Sequence, residues 1–413
     1  MDNSFARYGR LPLDAARDGF GAADVYSLRE AWSSGRFGGA KDMSLYAYAR
    51  LSEFLPSAVV DSGGSVSALP IHLAPALLDV EASTRHGAIS LRGLIADATW
   101  RLQGVIVLHR GRIVVEAYPG MERHDRHVWM SVAKTWGGLL AGRLEDAGQL
   151  DLAALVTDVL PELAGTAWRD VAIQDVLDMS TGLDLEETPA GVNDPATPIS
   201  RFFRAEFGEP DAKGLLRTHN EAIAGVERLE PPGIAARYSS IVTNLLGLAL
   251  ERLTNRRIAS LIEEVWATMG AERAATLCLS PQGQPALHGL FSSTLRDLGR
   301  FGLLHTPSWR VVSETQVVPQ AYLERIWSRG RPGNFMKANL GARLTDAFGE
   351  QPHHNAYQWD AVFADRDMFK GGMNGQGLYV SPRRDVVVAW FGINRDGIPM
   401  HPIARRLAQT LAS

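Results

Sequence analysis

Only one cysteine, Cys278, occurs in 413 residues, so the chain can close no intramolecular disulfide. Its setting, Thr276-Leu277-Cys278-Leu279, offers no cation to draw the thiol toward thiolate, and it reads as a buried small hydrophobe rather than a nucleophile. Also missing is any run approaching the roughly 18 consecutive apolar residues of a membrane-spanning helix. The opening residues Met1-Asp2-Asn3-Ser4-Phe5-Ala6-Arg7 hold neither a basic leader nor an apolar stretch of signal-peptide length. These absences lead to the expectation of a soluble, cytoplasmic protein with no membrane partner. An excess of charge of either sign is lacking as well. With 42 basic and 46 acidic residues the formal net charge is -4, no basic block interrupts the sequence, and nothing gathers nucleic acid. No internal repeat or low-complexity tract is present.

What is there is an ordinary globular composition, 46% hydrophobic and 21% charged, in a chain long enough for two domains or one large domain carrying an inserted lobe. Gly104 to Tyr118 contains two β-branched runs split by Arg110-Gly111-Arg112, a hairpin signal. A second hairpin joins Gly377-Leu378-Tyr379-Val380 to Val386-Val387-Val388-Ala389-Trp390-Phe391 through Ser381-Pro382-Arg383-Arg384-Asp385. Helical spacing of Ile403, Leu407 and Leu411 predicts a terminal helix packed on the sheet. Between the hairpins, Ser131 to Ala147, ended by Gly148, and Ile241 to Leu253 read as long helices. The predicted fold is therefore α/β in the α+β sense: an antiparallel sheet flanked by helices, assembled from 89–130 and 290–413. A mostly helical lobe, 131–289, is inserted, and an N-terminal extension, 1–88, packs on the sheet domain without a motif of its own.

Chemistry concentrates in Met130-Ser131-Val132-Ala133-Lys134-Thr135, at the start of a helix. Three residues apart, Ser131 and Lys134 share a helix face with their side-chain roots about 5–6 Å apart. A serine hydroxyl needs a base, and a lysine amine serves once its pKa falls from about 10.4 to near 7. Burial and a neighbouring cation could supply that fall. Alone, a Ser-x-x-Lys tetrapeptide fits a solvated pair on a surface helix equally well. The flanking Val128, Trp129, Met130, Val132, Ala133, Trp136, Gly137, Gly138, Leu139 and Leu140 instead describe a buried helix, where an unpaired lysine is costly. Second comes Ala236-Arg237-Tyr238-Ser239-Ser240, after the turn Pro231-Pro232-Gly233. Tyr238 either relays a proton, given a cation that lowers its pKa, or is half-buried packing. Third is Phe369-Lys370-Gly371-Gly372-Met373-Asn374-Gly375-Gln376-Gly377, whose glycines on an expected edge strand admit a substrate to the backbone or else form a bulge.

In this order the three motifs resemble those of the class C β-lactamases and penicillin-binding-protein-like serine hydrolases, and more closely the branch of 6-aminohexanoate-dimer hydrolases and β-lactamase-fold esterases. Asp125-Arg126-His127, Glu145 to Asp151, Val159 to Leu163, Val176 to Gly182, Ser293 to Gly302, Tyr357-Gln358-Trp359 and Gly375-Gln376 support the likeness over roughly residues 90 to 413. The resemblance implies that Ser131 attacks a carbonyl and that Lys134 and Tyr238 share its proton. It further implies that the N–H groups of Ser131 and Met373 form the oxyanion hole, and that Ser240, Lys370, Gly371, Gly372, Asn374 and Trp359 meet the substrate. Departures bear on substrate. Gly371 stands where β-lactamases carry the hydroxyl residue that helps bind the lactam carboxylate, and Ser240 where they carry asparagine. Pro189 stands near the position of a tyrosine that favours amide cleavage in the nylon-oligomer branch, and Asp194 is near that of an acidic residue that binds the substrate amine.

Other features carry less. The pair His353-His354 and the stretch Glu122 to His127 lack zinc-site spacing, so no metal is expected. Gly371 to Gly377 enters a strand rather than a helix, against a phosphate loop. Trp136, Trp168, Trp359 and Phe202-Phe203 read as core or cleft wall. The expectation is a serine hydrolase of small carboxylic esters acting through an acyl-enzyme without a cofactor. Its alternatives are an amidase of the 6-aminohexanoate-oligomer type, an acyltransferase, and a catalytically silent binding protein. A homodimer is compatible with all of them.

Overall fold

A computed structural model describes residues 20–39, 42–394 and 397–411. The stretch Met1 to Arg7, read above for its lack of a leader, lies outside them. Its centre is a seven-stranded antiparallel sheet of β1 (Leu102–His109), β2 (Arg112–Ala117), β3 (His354–Ala356), β4 (Trp359–Val362), β5 (Met368–Gly372), β6 (Gln376–Ser381) and β7 (Val386–Gly392), in the order β2-β1-β7-β6-β5-β4-β3. Both expected hairpins form. Arg110 and Gly111 link β1 to β2 with φ of 48° and 72°, the paired positive values of a turn that matches the right-handed twist of the strands. The sequence-distant strands β1 and β7 pair from Val386↔His109 to Gly392↔Leu102, so segments about 280 residues apart become neighbours in the sheet.

Alternation along the strands dictates what covers each face. Ile106, Leu108 and Val387 point to a helix Leu295–Leu303, where Gly299 and Gly302 allow contact so close that a Cβ would collide with Leu108 or Val387. On the other face Phe369, Tyr379 and Trp390 meet His401 and Arg405 of the C-terminal helix Met400–Thr410, which is the helix expected there. One expectation is corrected. The strand β5 is interior, not an edge: β6 pairs it from Met368 to Gly372, and β4 pairs it at Met368 and Phe369. The β4 pairing stops at Ala361↔Phe369, however, so Lys370 to Gly372 have no strand partner on that side.

A second, four-stranded sheet joins Ser57–Val60, Ala275–Cys278, Phe291–Ser293 and His127–Val128. Cys278 is fully buried there, and burial pushes its thiol up to about 12, as befits a hydrophobe. Residues 20–55 close a smaller apolar cluster in which Trp32 stacks on Phe54 and Phe207. The expected long helices are Lys134–Asp146 (α1), preceded by a 3-10 turn Met130–Ala133, and Ser240–Thr254 (α2). Close approach brings α1 against its neighbours: a Cβ on Gly138 would collide with the Tyr357 carbonyl, and one on Gly142 with the Tyr322 ring. Among the described residues no helix is long and apolar enough to cross a membrane.

Candidate active site

The short strand His127–Val128 delivers the chain to Trp129, whose N–H donates to the Phe291 carbonyl (2.7 Å) and whose indole donates to Ser293 Oγ (2.8 Å). The next residue, Met130, holds φ 48°, a left-handed conformation that a non-glycine residue adopts only when its surroundings impose it. That bend turns the chain into the 3-10 turn and sets Ser131 at the head of α1, where the helix dipole favours negative charge.

Lys134 is wholly buried. Its Nζ lies 3.1 Å from Ser131 Oγ, 3.0 Å from Ser240 Oγ and 2.7 Å from the His288 carbonyl. Burial drives its pKa down to about 7; Glu187 opposes the fall and Lys370 adds to it. The amine is therefore available as a base near neutral pH. Tyr238 is buried beside it, and the nearby Ser131 favours its charged form. Three basic groups surround its ring: Lys370 Nζ at 4.9 Å, Lys134 Nζ at 5.2 Å and the Arg343 guanidinium at 5.4 Å from the centroid. Their charge does not prevail. Burial, Asp360 and Glu187 hold the phenol well above 10, so Tyr238 carries its proton at neutral pH and the cation-lowered pKa set as a condition for relay is not met.

The third motif comes in from β5. Lys370 is fully buried and paired with Asp360 (2.5 Å), and the other carboxylate oxygen of Asp360 accepts from Gly371 N (3.1 Å) on the strand side that β4 leaves open. Gly372 touches the nucleophile turn: a Cβ there would lie 2.8 Å from the Trp129 carbonyl oxygen and 3.0 Å from Met130 Cβ. Met373 follows at the end of the strand, with its side chain 43% exposed and its carbonyl accepting from Gln376 Nε2 (2.7 Å). The fold thus brings Ser131, Lys134, Tyr238, Ser240, Lys370, Gly371 and Gly372 together, with Met373 beside them.

Two expected substrate contacts sit elsewhere. Asn374 spends its amide on the Gly38 carbonyl (3.1 Å) and the Tyr48 hydroxyl (2.6 Å), tying the β5–β6 turn to the N-terminal segment. Trp359 is fully buried on β4 against His305, and Trp136 and Trp168 are likewise core. Conversely, Glu187, Asp360 and Arg343 belong to the site and carry no local motif. Glu187 accepts from Ser240 Oγ (2.6 Å) and Ser240 N (3.2 Å), behind the lysine. Pro189 starts a short helix nearby without a side-chain donor, and the exposed Asp194 accepts from Ala196 N (2.9 Å) in its own turn.

A serine at a strained bend, a buried amine on its hydroxyl and a protonated tyrosine beside both, set between a helix and an antiparallel sheet, define a serine hydrolase of the β-lactamase fold. The chain belongs to the Beta-lactamase family, whose sequence profile matches residues 92–412. It is 29% identical over 357 residues to a 6-aminohexanoate-dimer hydrolase of Paenarthrobacter ureafaciens, covering 83% of each chain. Among solved structures it resembles one titled "Putative 6-aminohexanoate-dimer hydrolase from Bacillus anthracis", with TM-score 0.75 and 21% identity over 90% of this chain and 94% of that one. It also resembles EstCE1, a hydrolase with promiscuous acyltransferase activity, with TM-score 0.56 and 16% identity over 77% of this chain and 97% of that one.

Proposed function

We propose that the protein hydrolyses small carboxylic esters through an acyl-enzyme on Ser131. The observation that carries this reading is the 3.1 Å contact of Ser131 Oγ with a buried lysine whose pKa lies at about 7. Neutral Lys134 takes the Ser131 proton as Oγ attacks the carbonyl carbon. The oxyanion is met by the N–H groups of Ser131 and Met373. Tyr238 then passes its proton to the leaving alkoxide and is refilled from Lys134, so the alcohol departs and the lysine is neutral again. A water molecule repeats the sequence in reverse roles and releases the acid.

Esters are favoured over amides because an alkoxide leaves with less help, and Pro189 adds no donor for an amine leaving group. Amide cleavage is the second reading, supported by the 29% identical relative named for an amide substrate. A p-nitrophenyl butyrate assay of wild type and Ser131→Ala, run beside the matching p-nitroanilide, tests both. The ester rate is expected to fall by about 10³-fold or more in the variant, and equal rates in the two proteins would remove Ser131 from the mechanism. Intact mass after fluorophosphonate treatment, with peptide mapping, should put the adduct on Ser131.

A further inference from the structure

We infer that Arg343 is a carboxylate-binding subsite at the mouth of this active site, selecting acyl substrates that carry a second, anionic carboxylate. The inference rests on the hydrolase reading above and adds a substrate class to it.

Arg343 lies on the helix Asn339–Phe348, is solvent-exposed, and holds its guanidinium 5.4 Å from the centre of the Tyr238 ring. The same ring lies 5.2 Å from Lys134 Nζ, which is itself 3.1 Å from Ser131 Oγ, so one side chain separates Arg343 from the catalytic pair. The helix that carries the cation is anchored. Its Leu340 and Leu344 are buried in the core. Just upstream, Asn334 donates to the Gly233 carbonyl (2.5 Å) and accepts from Ala236 N (3.1 Å), lashing this segment to the loop that carries Tyr238.

Its charge is free as well. The site contains two other basic side chains. Lys134 is the neutral base, and the Lys370 charge is cancelled by Asp360 at 2.5 Å. The remaining carboxylate, Glu187, is engaged by Ser240. Arg343 makes no hydrogen bond or ion pair among the described residues. With glycine at position 371 there is no hydroxyl beside Lys370 to share an incoming anion, so Arg343 is the group that a substrate carboxylate would meet. A planar fork of donors on this exposed side chain suits a carboxylate bidentately.

Two measurements on the full-length protein decide it. The first needs no turnover: binding of adipate, and of neutral dimethyl adipate as its control, to Ser131→Ala is followed by calorimetry at millimolar ligand. Adipate should bind, should weaken about tenfold or more when Arg343→Glu is added, and should weaken in high salt, in keeping with a charged hydrogen bond at an exposed site. Absent binding, or binding indifferent to Arg343→Glu, overturns the inference. The second compares kcat/KM for mono-p-nitrophenyl adipate with that for its methyl-capped ester. This anionic-to-neutral ratio should drop about tenfold in Arg343→Met, be largely retained in Arg343→Lys, and invert in Arg343→Glu. An equal loss on both esters would make Arg343 only a support for Tyr238 and overturn the subsite. If wild type turns over neither ester, the esterase reading fails while the adipate measurement still decides Arg343.

Discussion

Lys134 is an amine held entirely out of water, and the consequences can be measured in two ways. Activity requires the neutral form, so kcat/KM should climb with pH and reach half its plateau near 7, the pKa at which burial poises the group. A profile flat between about pH 5 and 9 would sink the lysine base. Stability should report the same group. Unfolded, the lysine titrates at about 10.4; folded, at about 7. Between these values the unfolded chain binds more protons, so the group's contribution to stability rises with pH across that window and its full cost is present below it. The difference in Tm between Lys134→Met and wild type should therefore favour the variant more at pH 6 than at pH 9. A difference that does not change with pH would mean the amine is not desolvated as the structure has it. At this scale the sequence revealed Ser131, Lys134 and Tyr238 because their chemistry sits in short segments of fixed spacing. Glu187, Asp360 and Arg343 left no trace, since each acquires its role from a neighbour brought near only by the fold. The pKa direction of Tyr238 was illegible for the same reason: it depends on its full burial and then on two carboxylates, at positions 360 and 187, that no pattern links to it.

Among the elements, the strand β5 carries the most function for its length. Its register on β6 pairs Gly371 with Gly377 and Gly372 with Gln376, which leads the strand past the turn that bears Ser131. Gly372→Val should lower kcat/KM by about 10²-fold or more, because the added carbons would drive β5 away from the Trp129 carbonyl and move the Met373 N–H off the oxyanion. Met373→Ala should change it by less than about threefold, because the donor is backbone. The opposite ranking of the two variants would put the donor on another residue. Both hairpins were legible because strand alternation and turn chemistry are local. The edge-strand expectation failed because the two strands outside β5, of three and four residues, are too short to show alternation in the sequence. Asn374 was misread for a related reason, in that its partners Gly38 and Tyr48 lie more than 300 residues away and in a segment without a motif.

At the level of the whole molecule, the C-terminal helix is pinned to the sheet by a charged cluster at the start of β5. Asp367, fully buried ahead of β5, accepts from Tyr379 Oη, Ser381 Oγ, Arg384 and Arg405, while Arg405 also reaches Asp365 and Glu350. No sequence pattern announces this cluster; it exists because the last helix lies across strands whose order the chain does not reveal. Lys370 to Gly372 occupy the opposite end of β5, so the cluster and the active site can be separated by experiment. Removing Arg405 leaves the buried Asp367 carboxylate with Arg384 as its remaining cation, so the loss should approach but stay below the about 3–5 kcal/mol of a buried pair broken from one side. Arg405→Met should therefore lower the urea midpoint sharply while kcat/KM for an ester stays within twofold. Adding Asp367→Asn should recover part of the loss, since the group that needed the cation is then neutral, and a double-mutant cycle on the two positions should give a coupling of about 1 kcal/mol or more. Additive losses, or a double variant less stable than Arg405→Met alone, would mean that Arg405 holds the helix by packing and through Glu350 rather than by compensating Asp367.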